Sequence, residues 1–182
     1  MLKKFKRPLL LALICLLPLF ALAELPSDKT AKLYIVSDNA QLNKATGISV
    51  FSGNVKVDHG STHVTADKLT TYSDKNNQVI KAIAEGANGN FATYQTMTDP
   101  KKPPLNAKAL IIQYFPQQHY VILIGQAVVT QGPDSITGPQ LEYDLKNQIL
   151  ITKNNGSMGS GRTKIVIQPN DVEQSSGNLI SK

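Results

Sequence analysis

Phe51 to Thr71 reads FSGNVKVDHGSTHVTADKLTT. Apolar and polar residues alternate as far as Val57, the chain turns at His59-Gly60, and the alternation resumes. This period of two marks half-buried strands. Phe51, Gly53, Val55 and Val57 share one face, while Ser52, Asn54, Lys56 and Asp58 point the other way. After the turn Thr62, Val64 and Ala66 continue the apolar side, and Leu69 and Thr71 resume it. The change of parity predicts a bulge or corner at Asp67-Lys68. The stretch is a β-hairpin, and it occurs twice. Shifted by 72 positions it lies without a gap on LIGQAVVTQGPDSITGPQLEY, Leu123 to Tyr143. Gly53, Val57, Gly60, Thr65 and Leu69 fall on Gly125, Val129, Gly132, Thr137 and Leu141. Phe51 pairs with Leu123, Val55 with Ala127 and Val64 with Ile136. A repeated unit of this kind dictates the architecture.

The flanking chain fits the same plan. Lys32 to Val36 predicts a short first strand, with Leu33 and Ile35 on one face, closed by Ser37-Asp38-Asn39; Gln41 to Thr46 is polar, and Gly47 turns the chain into the hairpin. Ser73 to Asn77 is a turn cluster, Val79 to Glu85 a strand, Asn88-Gly89 a hairpin-type turn and Phe91 to Met97 a further strand. Asp99 to Pro104 (DPKKPP) cannot sit in a ladder, because proline donates no hydrogen bond; it is a surface loop between the halves. The second half then predicts strands over Ala107 to Phe115, through the second hairpin, over Gln148 to Thr152 and over Arg162 to Gln168. Asn154 to Gly161 is a glycine-serine loop, and no stretch reads as a helix. Turns every 8–12 residues or so argue an all-β sandwich, barrel or jelly roll.

Residues 1–23 predict a cleaved signal peptide. Lys3, Lys4, Lys6 and Arg7 form a basic start, Leu9 to Phe20 an apolar run, and Ala21-Leu22-Ala23 a cleavage site after Ala23. An uncleaved anchor needs about 20 apolar residues, and Pro18 interrupts a shorter run. Cys15 follows Ile14, too bulky for a lipoprotein site, so the single cysteine leaves with the signal. Neither a disulfide framework nor a thiol nucleophile then remains. Cleavage also removes four of the 19 basic residues and none of the 13 acidic ones, taking net charge from +6 to +2. The basic pI therefore gives no support to nucleic-acid binding, and no basic run is interleaved with stacking rings. Residues 24–170 predict one domain, and residues 171–182 a disordered polar tail.

Catalytic patterns are weak. Gly156 to Thr163 (GSMGSGRT) resembles a phosphate loop with Arg in place of Lys, but a strand follows where a helix must, and the periplasm lacks ATP. His59, His63 and Asp58 straddle a turn without a third metal ligand at a suitable spacing. Ser157 lacks the glycine of a nucleophile elbow, His119 has no partner in sequence, and the carboxylates are scattered. The expectation is no enzyme, no metal and no cofactor. The apolar face remains, and pattern alone reads it equally well as ordinary core.

Several residues carry a family pattern. Ser37-Asp38 after a short strand, Phe51-x-Gly53-Asn54-Val55-x-Val57, Gly60, and Val64-x-Ala66-Asp67-x-Leu69 resemble the OstA-like domain family. Leu123-x-Gly125-x-Ala127-x-Val129 through Leu141-x-Tyr143 is similar to its later turns. The resemblance spans Leu33 to Pro169; Gln126 and Pro139 depart from it at polar positions. It implies an all-β, twisted, open β-jelly roll of antiparallel strands whose inner face holds the acyl chains of lipopolysaccharide. It also implies head-to-tail stacking, through edge strands, into a periplasmic bridge. The bridge joins a bitopic inner-membrane component to the N-terminal domain of an outer-membrane translocon, driven by an ATPase elsewhere. Carried onto matching positions, the lining is Leu33, Ile35, Phe51, Val55, Val57, Val64, Leu69, Tyr94, Leu123, Ala127, Val129, Ile136, Leu141 and Tyr143. Lys56 and Thr70 are expected on the solvent side. Two other readings stay open: a periplasmic adaptor of the same fold that carries no lipid, and a carbohydrate-active jelly roll, which would need paired carboxylates in one cleft.

Overall fold

The computed structural model describes residues 28–144, 147, 149–154 and 161–168. The expected signal peptide, polar tail and most of the glycine-serine loop lie outside them. The described residues form twelve strands, with two short 3-10 turns at Asp28–Thr30 and Pro116–Gln118. In the first half they are β1 (Leu33–Val36), β2 (Asn39–Asn43), β3 (Ile48–His59), β4 (Thr62–Ser73), β5 (Val79–Glu85) and β6 (Ala92–Thr96). In the second they are β7 (Leu105–Ala109), β8 (Ile111–Phe115), β9 (Tyr120–Gln131), β10 (Asp134–Asp144), β11 (Ile149–Lys153) and β12 (Lys164–Val166). The repeat thus extends well beyond the hairpin. β7, β8, β9 and β10 begin 72 residues after β1, β2, β3 and β4, and each repeats its counterpart's pairings.

The long hairpins β3–β4 and β9–β10 each serve two walls, because their halves take different neighbours. On β3, Ile48 to Ser52 pairs with β2 and Lys56 to His59 with β1. On β4, Lys68 to Ser73 pairs with β5 and His63 to Thr65 with β6. β9 divides in the same way between β8 and β7, and β10 between β11 and β12. All pairs are antiparallel, and a ring closes through β4, β5, β8, β9, β7 and β6. The fold is the expected all-β, twisted jelly roll.

The corner between the walls is built from backbone. Gly53 and Asn54 have φ of 80° and 48°, Gly125 and Gln126 of 81° and 50°. Each such pair sits where the ladder shifts, two residues opposing one across the hairpin: Ser52 faces Lys68 and Val55 faces Ala66, while Ile124 faces Gln140 and Ala127 faces Gly138. The left-handed region costs an L side chain free energy that glycine avoids. Space demands glycine as well. A Cβ on Gly53 would overlap the Asp38 carboxylate, and one on Gly125 would lie 2.8 Å from Leu110 Cδ1. The carbonyls of Gly53 and Gly125 accept hydrogen bonds from the amides of Asp38 and Leu110, so the chain between β1 and β2, and between β7 and β8, bends against the corner.

Three readings need correction or completion. The bulge predicted at Asp67-Lys68 belongs to the facing strand: the corner is there, but the extra residue is supplied at Gly53-Asn54. Gln41 to Thr46, read only as polar with no element assigned, overlaps β2, whose five residues are all exposed and so carry no amphipathic signal. Ala107 to Phe115 is two strands, since the corner at Leu110 divides it into β7 and β8.

Candidate functional site

The interior between the walls is graded. Its floor, along the corner, is mostly alanine: Ala66, Ala84, Ala92, Ala107, Ala109 and Ala127 are buried, with Ala92 and Ala109 at 0 % exposure. Val55, Leu69, Ile112, Leu123 and Leu141 complete the buried apolar cluster. Away from the corner the inward side chains grow larger and less covered, and Ile35, Phe51, Val57, Val64, Tyr94, Val129 and Ile136 are only partly buried against it. Among the described residues, the largest fully buried side chains are Leu141 and Val55. A core packed to capacity would bury its largest apolar residues and leave small ones wherever they fitted. Here alanines share the sealed places with Val55, Leu69, Ile112, Leu123 and Leu141, while the remaining large inward side chains stay half covered and form a rim with apolar surface to spare.

The expected lining is largely brought together. Val55, Leu69, Leu123, Ala127 and Leu141 belong to the buried cluster, and Ile35, Phe51, Val57, Val64, Tyr94, Val129 and Ile136 pack on it. Tyr143 faces Val121 and Leu150, which also pack on the cluster, and its burial raises the hydroxyl's pKa. Leu33 is the outlier, 56 % exposed on β1. Of the buried alanines the expected lining holds only Ala127; sequence reasoning left out the other five and Ile112. Alanine has weak strand propensity, and a methyl in a period-two pattern reads as neutral. Of the positions expected on the solvent side, Lys56 is exposed but Thr70 is buried, lying between Val50 and Ile83 on neighbouring strands.

No group of three or more His, Cys, Asp or Glu able to hold a metal occurs among the described residues. Asp58 and His63 face each other across the hairpin, Oδ1 to Nδ1 at 2.6 Å, on an exposed surface. The most buried carboxylate of the described sheet residues, Glu142, lies on the wall's other face from Leu141. Burial pushes its pKa up, but hydrogen bonds from Lys153, Tyr120 and Gln140 prevail and hold it below 4.5. The bond to Glu142, burial and the nearby negative charge push the Tyr120 hydroxyl to about 12. This cluster ties β9, β10 and β11 together.

The edges are unusual. Among the described residues, β1 and β2 pair only with β3, and β11 and β12 only with β10. Apart from Ile80, every large hydrophobic found well exposed lies on these strands or just past them. They are Leu33, Tyr34 and Val36 on β1, Leu42 on β2, Ile149 and Ile151 on β11, Ile165 and Val166 on β12, and Ile167 beyond it. Bare apolar edges invite another strand.

A jelly roll with a partly covered apolar interior and two exposed apolar edges fits a class: β-walled carriers of apolar ligands whose edges are open to a further strand. Residues 34–149 match the family described as LptA/(LptD N-terminal domain) LPS transport protein, and the chain belongs to this family. It is 32 % identical over 173 residues to the lipopolysaccharide export system protein LptH of Pseudomonas aeruginosa, covering 92 % of this chain and 96 % of that one. It is 30 % identical over 132 residues to LptA of Escherichia coli K12, covering 72 % and 68 %. The crystal structure of LptH, titled the LptA-homologous periplasmic component of the lipopolysaccharide transport device of P. aeruginosa, superposes with a TM-score of 0.70 at 33 % identity. That match covers 79 % of this chain and 100 % of the other.

Proposed function

We propose that this chain is a lipopolysaccharide carrier that holds acyl chains in its apolar interior. The observation that carries the reading is the rim of half-buried large side chains above a sealed alanine floor. Burying an acyl chain contributes about 0.8 kcal/mol per CH₂, so a chain of about twelve carbons fully covered would gain on the order of 10 kcal/mol. Several chains held so tightly would hardly leave. A carrier that must release its cargo needs contacts that cover it only in part, and a rim of this kind supplies them.

The same reading includes export to the periplasm with cleavage after Ala23, a single domain over residues 24–170, and assembly of copies head to tail through the edges. The ends of that bridge would meet an LptC-like bitopic inner-membrane component and an LptD-like N-terminal domain of the outer-membrane translocon. The family and the titles of its relatives support this, and the nine exposed edge hydrophobics support the assembly. The relatives are named for transport.

The test is a photo-crosslinking amino acid at Phe51, expected to capture lipopolysaccharide in cells, with Lys56 and the exposed Thr93 as outward controls. Equal capture at the controls refutes the interior assignment. Purified protein that yields no lipid on extraction, by mass spectrometry, favours the adaptor without cargo.

A further inference from the structure

The two halves of the chain meet along two seams. β5 pairs with β8 in one wall, and β6 with β7 in the other. The repeat places β11 and β12 where β5 and β6 stand, and β1 and β2 where β7 and β8 stand. The correspondence is fixed residue by residue through the long hairpins. Leu69 faces Ala84 as Leu141 faces Thr152, and Val64 faces Tyr94 as Ile136 faces Ile165. Leu105 faces Gln131 as Leu33 faces His59, and Ile111 faces Ile124 as Asn39 faces Ser52.

We propose that two copies of this chain join by repeating this internal seam in the same register. The proposal rests on the edge-to-edge assembly above and adds which residue meets which. The pair Tyr94–Ala107 becomes Ile165 against Ile35 of the second copy, and Gln95–Asn106 becomes Val166 against its Tyr34. In the other wall, Ala82–Tyr114 becomes Leu150 against Leu42.

Two features select this register. Faces agree: Ile165 and Ile35 both stand on the interior side, as Tyr94 and Ala107 do, so the apolar lining runs unbroken across the joint. A slip of one residue would turn every side chain of the strand to the wrong face. Coverage agrees too. The next pair in the series sets Ile167, 71 % exposed, against Leu33, 56 % exposed, whereas a slip of two leaves one of them bare. The charges are compatible with this register, since Lys164 falls opposite Val36 and Lys153 opposite Asn39.

The mature chain carries no cysteine, so single-cysteine variants can be mixed in pairs and oxidised. Ile35→Cys with Ile165→Cys, and Tyr34→Cys with Val166→Cys, are expected to give cross-linked dimers. Neighbouring pairs alternate in hydrogen-bonding type, so one of the two suits a disulfide. Pairs slipped by two, Ile35→Cys with Ile167→Cys and Leu33→Cys with Ile165→Cys, should lose the product. All these positions lie on edge strands or just past them and only Ile35 among them is half-buried, so folding of each variant is checked by circular dichroism, and size-exclusion mass against concentration is read on the same samples. Concentration-dependent association with cross-links only in the slipped pairs overturns the register and leaves edge-to-edge assembly standing. Absence of association together with absence of every cross-link overturns both.

Discussion

Whether the interior is filled or lined can be decided by two substitutions on one strand. Leu141 and Ile136 both point inward from β10, but Leu141 is 1 % exposed and Ile136 stands on the half-buried rim. Alanine at either position removes about three carbons, worth roughly 2.4 kcal/mol of transfer free energy if fully buried. Around Leu141 the wall is closed by Leu123 and Thr152, so a cavity remains, and Leu141→Ala should cost about 3–5 kcal/mol. Ile136→Ala loses about half the transfer and leaves no enclosed void, because its space is continuous with the groove, so about 1 kcal/mol is expected. Lipid binding should run in the opposite sense to stability. Ile136→Ala, still folded, should capture less lipopolysaccharide at a Phe51 crosslinker. Urea titration followed by circular dichroism measures the first effect, since the chain has no tryptophan. If Ile136→Ala shifts the urea midpoint as far as Leu141→Ala, the rim is sealed core and the reasoning fails.

The corner offers a second test. Gly89 has φ of 86° with open space around its Cβ position, so Gly89→Ala reports the backbone cost alone, about 1 kcal/mol. Gly53→Ala adds the overlap with Asp38 and should cost clearly more in the same urea assay; equal midpoints would mean the corner yields. Glu142 predicts a pH dependence. Its folded pKa lies below the ordinary 4.5, so its contribution is present above that value and is lost as pH falls through the folded pKa. Glu142→Gln should flatten this acid limb of stability, and an unchanged slope would exclude the cluster as its source. Tyr120 acts at the other end. Its pKa is raised from 10.0 to about 12, so stability from this hydroxyl falls as pH rises across that interval, and Tyr120→Phe should remove that alkaline loss in the same titration.

The sequence made the hairpins legible because their period of two runs through twelve-residue strands, and because a gapless repeat fixed which turns correspond. It made the rim legible for the same reason: Phe51, Val57, Val64, Val129 and Ile136 are large and alternate. The floor was not legible. Ala84, Ala92 and Ala109 are chosen by proximity to a corner that exists only once the walls have folded on each other. β2 was hidden for another reason. An edge strand with Ala40 and Leu42 on one side and asparagine and glutamine on the other has little to bury within its own chain. Pairing with β3, rather than composition, makes it a strand.

The alanine floor bears on how cargo could travel. From Ala66 on β4, through Ala92 on β6 and Ala109 on β7, to Ala127 on β9, successive strands present side chains of one size along the axis on which they stack. Sealed themselves, these methyls set an even base beneath the larger rim side chains on which a hydrocarbon would lie. An even base builds in no direction. Net movement over it would be set by supply at one end and removal at the other.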